Sequence, residues 1–186
     1  MKDDLKFIFA NVNDWLKYAE AKNAALTSII GAFIFGIISS WNKIPLLMHP
    51  VLKYYVLPLF IICLIICVWS FVPKLNYKNI LDKVIKNQKS KKTEDKNEGN
   101  NLEKLLENKN LIYYGDLRLF NQKILLKRLK IESPTNIEMD LAQQIIVNSN
   151  ITWLKYILFK WAGNLFLFGI ISGAIIITLI EILKIK

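Results

Sequence analysis

Two stretches of the chain gather side chains of the kinds that can hold a ligand. The first is Asn110-Leu111-Ile112-Tyr113-Tyr114-Gly115-Asp116-Leu117-Arg118. Its tyrosines supply flat stacking surfaces, Asp116 an acceptor, Arg118 a planar cation and Gly115 a flexible backbone position. The second stretch is "DLAQQIIVNSNITWLKY", in which Gln144, Asn148 and Lys155 recur at i, i+4 and i+11. On a helix those three share one face. Such a polar stripe could face a ligand. Each stretch also has a plainer reading. The tyrosines would pack on the long helix that follows, with Gly115 making a turn. The polar stripe would be a solvated face with hydrogen bonds to neighbouring helices.

Catalytic constellations are not expected. The chain contains no HExxH, GxSxG or Walker A pattern and a single histidine, His49. No acid–base pair or metal site can be assembled from the residues of its polar part, so neither an enzyme nor a cofactor is anticipated. Cys63 and Cys67 lie four apart in an apolar run. A disulfide between such positions fits helical geometry poorly, and they read as small packing residues.

The elements that must position these residues follow from where charge is missing. The chain has 186 residues, 53% of them hydrophobic. No charged residue stands between Lys22 and Lys43, between Lys53 and Lys74, or between Lys160 and Glu181, and each gap is 20 residues long. A bilayer core of about 30 Å needs roughly 20 helical residues. The runs show almost no polar face, which separates them from the helices of a soluble bundle. The sequence therefore predicts an all-α membrane protein with three transmembrane helices and a small helical cytoplasmic region between the second and third.

The expected layout begins with an amphipathic lead-in helix over residues 1–22. Phe7, Ile8, Val12, Trp15, Tyr18 and Ala19 form its apolar face. The helix continues into a first span over 23–41. A connector over 42–53 follows, in which Pro45 and Pro50 break the helix. The second span covers 54–72 and stops at Pro73. Residues 73–160 form a basic region whose Lys/Asn-rich part, about 86–101, reads as a disordered linker. A short helix "NLEKLLENKN" and a second, "NQKILLKRLKI", come next, the latter ended by Ser133-Pro134-Thr135-Asn136. Thr135 and Glu138 have the spacing of a capping box. They would open a proline-free helix of more than 40 residues that ends in a third span over 161–183.

Residues 73–160 hold 17 Lys and Arg against 10 Asp and Glu, while the connector holds only Lys43 and Lys53. Positive flanks stay cytoplasmic. The N-terminus and 73–160 are therefore expected inside, and the connector outside. The overall net charge of +10 is then explained by orientation and attraction to anionic lipid, without a nucleic-acid partner. The tetrapeptide WLKY precedes the first and third spans, at Trp15–Tyr18 and Trp153–Tyr156. It reads as an interfacial anchor, because Trp, Tyr and Lys favour the headgroup level. Three spans are too few to enclose a conducting path, so a homo-oligomer is expected. Gly31 and Gly36, with the GxxxG pair Gly169 and Gly173, are candidate close-packing positions between subunits or within one.

The order of these patches resembles the membrane effectors of the Pycsar anti-phage systems. The resemblance rests on Trp15 with Glu20-Ala21-Lys22 leading into the first span, two adjacent spans, and the island Asn110-Leu111-Ile112-Tyr113-Tyr114-Gly115. It continues in Asp140, Leu141, Gln144, Ile145, Ser149, Ile151, Lys155 and Tyr156 before the last span. It covers nearly the whole chain. The sequence departs from it in the charged Asp116-Leu117-Arg118 and in the Lys/Asn-rich linker. The resemblance implies that a partner cyclase makes a cyclic pyrimidine mononucleotide, cUMP or cCMP, on infection. The effector would sense it in the cytoplasm and impair the inner membrane, causing abortive infection. Tyr114, Gln144 and Lys155 are then the expected nucleotide contacts, with Asn148 beside them and Lys22 or Arg118 as a second cation. A constitutive membrane scaffold or small channel subunit without a nucleotide ligand is the rival reading, and a holin-like protein a third.

Overall fold

The computed structural model describes residues 2–72 and 106–184. The linker expected at about 86–101 lies outside those residues, as does the first half of the helix expected at 101–110. Among the described residues every regular element is helical. Three of the helices are long and apolar enough to cross a membrane.

Helix α1 runs Lys2–Ser39 without a break, so the expected lead-in and first span are one element. Two short 3-10 turns, Trp41–Lys43 and Leu46–Met48, follow. Helix α2 occupies His49–Trp69. Pro50 does not break it. It stands in the first turn, where a missing N–H costs nothing, so the helix starts before the position expected for the second span. Pro58 lies deeper, and there the ladder changes. Leu52–Val56 form a π turn in which the Leu57 N–H reaches the Leu52 carbonyl, and a regular α-helix resumes over Leu57–Trp69. A proline leaves the carbonyl four residues back without its donor, and a π turn just ahead of it re-registers the bonds.

The chain divides into two compact units. The first comprises residues 1–18 and 73–154. Its core joins Leu5, Ile8 and Val12 of α1 to Leu117, Leu125, Ala142 and Ile145. Leu5, Ile8 and Val12 follow i, i+3, i+7. Phe7 and Tyr18, expected on this stripe, are 61% and 51% exposed, because two residues beyond Leu5 is more than half a turn away. Two small helices sit between the long ones in sequence: α3, Tyr114–Leu117, and α4, Gln122–Arg128. Asn121 caps α4, its Oδ1 accepting from the Ile124 N–H at 2.8 Å.

Helix α4 ends earlier than the Ser-Pro signal suggested. Lys130 adopts a left-handed φ of 56°. The Ile131 N–H then donates to Leu126 O at 3.0 Å, and the Lys130 N–H to Lys127 O at 2.9 Å. This is a Schellman stop with lysine where glycine is usual.

Helix α5, Asn136–Lys184, is 49 residues long. Its capping box forms as its spacing predicts. Thr135 N–H donates to Glu138 Oε2 at 2.8 Å, and Glu138 N–H to Thr135 Oγ1 at 3.4 Å.

The second unit comprises residues 19–72 and 155–186. Each of its helices shows a narrow buried stripe: Asn23, Leu26 and Ile30 of α1; Val56, Phe60, Cys63 and Cys67 of α2; and Ala162, Phe166, Gly169 and Gly173 of α5. The 3- and 4-residue steps are those of a knobs-into-holes seam. The buried Phe60 and Phe166 rings meet in it, and the exposed Phe33 ring packs edge-on against both, with centroids 4.9–6.1 Å apart. Cys63 and Cys67 are free thiols in that seam. Gly169 and Gly173 face α2 of the same chain. A Cβ on Gly169 would stand 2.6 Å from Leu59 Cδ2, and one on Gly173 would stand 3.1 Å from Val56 Cγ2. The GxxxG pair thus serves packing within the subunit. Only 17%, 28% and 17% of the residues in the most apolar windows of α1, α2 and α5 are buried inside the protein. The remaining apolar surface requires a bilayer as its solvent, and the protein is a multi-pass membrane protein.

Candidate functional site

The island between residues 109 and 118 belongs to the first unit and is tied down at several points. Asn110 Oδ1 accepts from the Ile112 N–H at 2.7 Å, and Asp116 Oδ2 accepts from the Asn110 N–H at 3.1 Å. Lys109 Nζ pairs with Asp116 Oδ1 at 3.3 Å. Asn11, on α1, donates to Ile112 O at 2.7 Å. A nine-residue segment that looks like a loop in sequence is thereby held as a rigid turn followed by α3.

Gly115 does not make the turn expected of it, since its φ is not positive and it lies within α3. Its role is to admit a ring. A Cβ there would stand 2.4 Å from Tyr113 Cε1. Tyr114 is buried, with its ring 5.5 Å from Trp15 and 4.8 Å from Tyr113, centroid to centroid. Tyr113 keeps 45% of its surface exposed.

Arg118 is fixed by geometry on two sides. Its Nε donates to Gly115 O at 3.2 Å, and its guanidinium carbon lies 3.8 Å from the centre of the Trp153 ring. A cation over an indole face is the most favourable of the cation–π pairings. Burial pulls the Arg118 guanidinium below its ordinary value, while Tyr113 and Asp116 nearby work the other way. An arginine so placed stays charged at neutral pH.

The other expected ligand residues fall in both units. In the first, Asn148 Nδ2 donates to Asn13 Oδ1 at 2.8 Å. Gln144 is exposed on the same face of α5. In the second, Lys155 is largely buried and engaged. Its Nζ lies 3.1 Å from Glu20 Oε1 and donates to Ser70 O at 3.2 Å. Lys22 Nζ sits over the rings of Tyr156 and Phe159, at 5.5 and 5.6 Å from their centroids. The structure thus gathers Tyr114, Arg118, Gln144 and Asn148 in one unit, and Lys22 and Lys155 in the other.

Sequence reasoning missed what the two WLKY tryptophans do. Trp15 packs on Tyr114, and Trp153 receives Arg118. A signal was present. Trp15 continues the Leu5, Ile8, Val12 stripe, and Trp153 lies seven residues beyond buried Ile146. Among the described residues no group of His, Cys, Asp and Glu is arranged to hold a metal ion.

Among curated proteins and among solved structures nothing matches the chain. A family match does exist, and it runs from the first turn of α1 almost to the end of α5, through the island and both polar faces. Over residues 4–182 the chain matches the Pycsar effector protein domain, and it belongs to that family of transmembrane effectors.

Proposed function

We propose that this protein senses a cyclic pyrimidine mononucleotide, cUMP or cCMP, and responds by impairing the inner membrane, so that an infected cell stops growing before phage mature. Membership of the Pycsar effector family carries an anti-phage role and a cyclic nucleotide signal from a cyclase. The choice of pyrimidine, the site and the effect on the bilayer are our reading. No catalytic step is assigned to the chain.

One observation carries the site: Arg118, stacked on Trp153 and bonded to Gly115 O, with aromatic rings and amides in the same unit. A cyclic mononucleotide offers a flat base, a ribose hydroxyl and one negative charge. Arg118 supplies the partner for the phosphate. The Tyr113 and Tyr114 cluster supplies aromatic surface, and Gln144 and Asn148 supply amides for the base edge. We keep the direct contacts within this unit. Lys22 and Lys155 belong to the other unit, Lys22 over the Tyr156 and Phe159 rings and Lys155 paired with Glu20. The N-terminus and residues 73–160 are cytoplasmic in this reading, and the active form is a homo-oligomer.

Calorimetry of the detergent-solubilised protein with a panel of cyclic mononucleotides tests the reading. Binding confined to cUMP or cCMP is expected. A charge-assisted hydrogen bond contributes about 1.5–3 kcal/mol, so Arg118→Ala should weaken binding about 10- to 150-fold. No binding by any cyclic mononucleotide would return the protein to the rival reading of a constitutive scaffold or channel subunit.

A further inference from the structure

The second unit contains a polar knot in an otherwise apolar seam, and it joins all three long helices. Glu20 and Asn23 come from α1, Ser70 from the C-terminal cap of α2, and Lys155 from α5. The Lys155 side chain is only 13% exposed. Its ammonium pairs with Glu20 Oε1 at 3.1 Å and donates to Ser70 O at 3.2 Å. Ser70 O is one of the carbonyls left without an intrahelical donor where α2 ends. A cation there also meets the negative end of the helix dipole. Asn23 donates to Ala19 O at 2.9 Å and to Lys155 O at 3.3 Å, so the backbone of α5 is held as well as its side chain.

Two features make this contact reversible. Glu20 is 49% exposed, so solvent and ions can compete for one half of the pair. Among the described residues, Asn23 Oδ1 and Ser70 Oγ are buried with no hydrogen-bond partner. A buried acceptor left unmade penalises the arrangement that buries it. The knot therefore holds three helices together while leaving its own polar groups incompletely satisfied.

The arrangement it holds is a packed seam. Phe60 and Phe166 are buried against each other in it, and Cys63 and Cys67 are wholly buried on the same stripe of α2. Impairing a bilayer requires a different packing of the same helices. A contact that favours one packing sets the population of the other.

We propose that Lys155, with Glu20 and the Ser70 carbonyl, is a three-helix clamp that stabilises the closed packing of the membrane unit, and that its release is a step in activation. Lys155 is thus a positioning residue acting through helix packing. The inference rests on the functional reading above, because it assigns the regulation of that membrane activity.

The native cysteines report on the clamp. Full-length protein in liposomes is treated with N-ethylmaleimide, and alkylation of Cys63 and Cys67 is followed by mass spectrometry. Lys155→Met and Glu20→Gln should each raise the alkylation rate at least about tenfold, a change of about 1.4 kcal/mol in the opening equilibrium. The double variant should react no faster than the faster single one, because the two residues act as one unit. Lys155→Arg should stay near wild type, since arginine can serve both acceptors. Lys160→Met, which removes an exposed lysine on the same helix, should also stay near wild type. That result separates loss of the clamp from loss of a membrane anchor.

Release of a trapped dye is read in parallel without nucleotide, and the Lys155→Met and Glu20→Gln vesicles should leak where wild-type vesicles do not. Alkylation of both variants at the wild-type rate overturns the clamp. Faster alkylation with tight vesicles shows a merely structural contact and overturns its role in activation. Failure of wild type to respond to any cyclic mononucleotide removes the sensing reading alone. The cysteine and leakage results on the variants still decide the clamp.

Discussion

A methyl group on Gly115 would stand 2.4 Å from the Tyr113 ring, too close for both to remain. Overpacking of this kind costs about 1–3 kcal/mol. Because Tyr113 is 45% exposed, its ring can swing outward, and Gly115→Ala should fall at the low end, near 1 kcal/mol. Combining it with Tyr113→Ala should recover most of that loss, as measured by thermal unfolding of the solubilised protein. The same reasoning separates two tasks for Arg118. Arg118→Lys keeps a charge but loses the flat stack on Trp153 and the Nε bond to Gly115 O. Its nucleotide affinity should fall nearly as far as that of Arg118→Ala. If lysine restored wild-type affinity in the same titration, charge alone would account for Arg118. The aromatic and cationic residue types of this site were legible in the sequence, whereas their pairing was not. Neither Arg118 with Trp153 nor Lys155 with Glu20 follows from spacing, because each pair is brought together by the packing of separate segments.

The helices show which local signals are strong enough to read. Uncharged runs of spanning length gave three apolar helices, and Thr135 with Glu138 gave the start of α5, because charge and capping act within a few residues. The end of α4 was hidden. A left-handed lysine is unfavourable on its own, and at Lys130 it is held by the bonds of Ile131 and Lys130 back to Leu126 and Lys127. The π turn ahead of Pro58 was hidden too, since a proline can also kink a helix or open one. Lys130 gives a test at this scale. A non-glycine residue in the left-handed region costs about 1–2 kcal/mol, so Lys130→Gly should stabilise the protein by about 1 kcal/mol, reduced by the extra freedom of glycine in the unfolded chain. Unchanged or lower thermal stability would mean that the Lys130 side chain contributes more than its backbone costs. Gly169→Val probes the other end of the scale. Its branched side chain would be driven against Leu59 and Phe60 of the same chain, and unfolding should become easier by about 1–3 kcal/mol whatever the oligomeric state. If Gly169→Val instead left unfolding unchanged and only dispersed an oligomer, the GxxxG pair would belong between subunits.

At the scale of the whole molecule, the make-up of the first unit supports the proposed topology alongside the lysine counts. It is assembled from residues 1–18 and 73–154, and Leu5, Ile8 and Val12 share a core with Leu117 and Ala142. Two membrane helices separate those segments in the chain. An even number of crossings returns the chain to the side from which it left, so this core can form in water on one face of the bilayer. The positive residues choose which face. Residues 73–160 hold 17 Lys and Arg, and flanks of that kind favour the cytoplasmic side, which is the orientation proposed above. In the proposed reading, a nucleotide made inside the cell would reach Arg118 and Gln144 without crossing the membrane. Single cysteines introduced at Met48, between the first two membrane helices, and at Ser90, in the basic stretch, check this orientation in intact cells with a membrane-impermeant thiol reagent. Labelling is expected at position 48 and not at position 90, and both should react once the membrane is opened. The reverse pattern would put the unit containing Arg118 outside the inner membrane, where a cytoplasmic cyclase product could not reach it, and the sensing reading would fall with the topology.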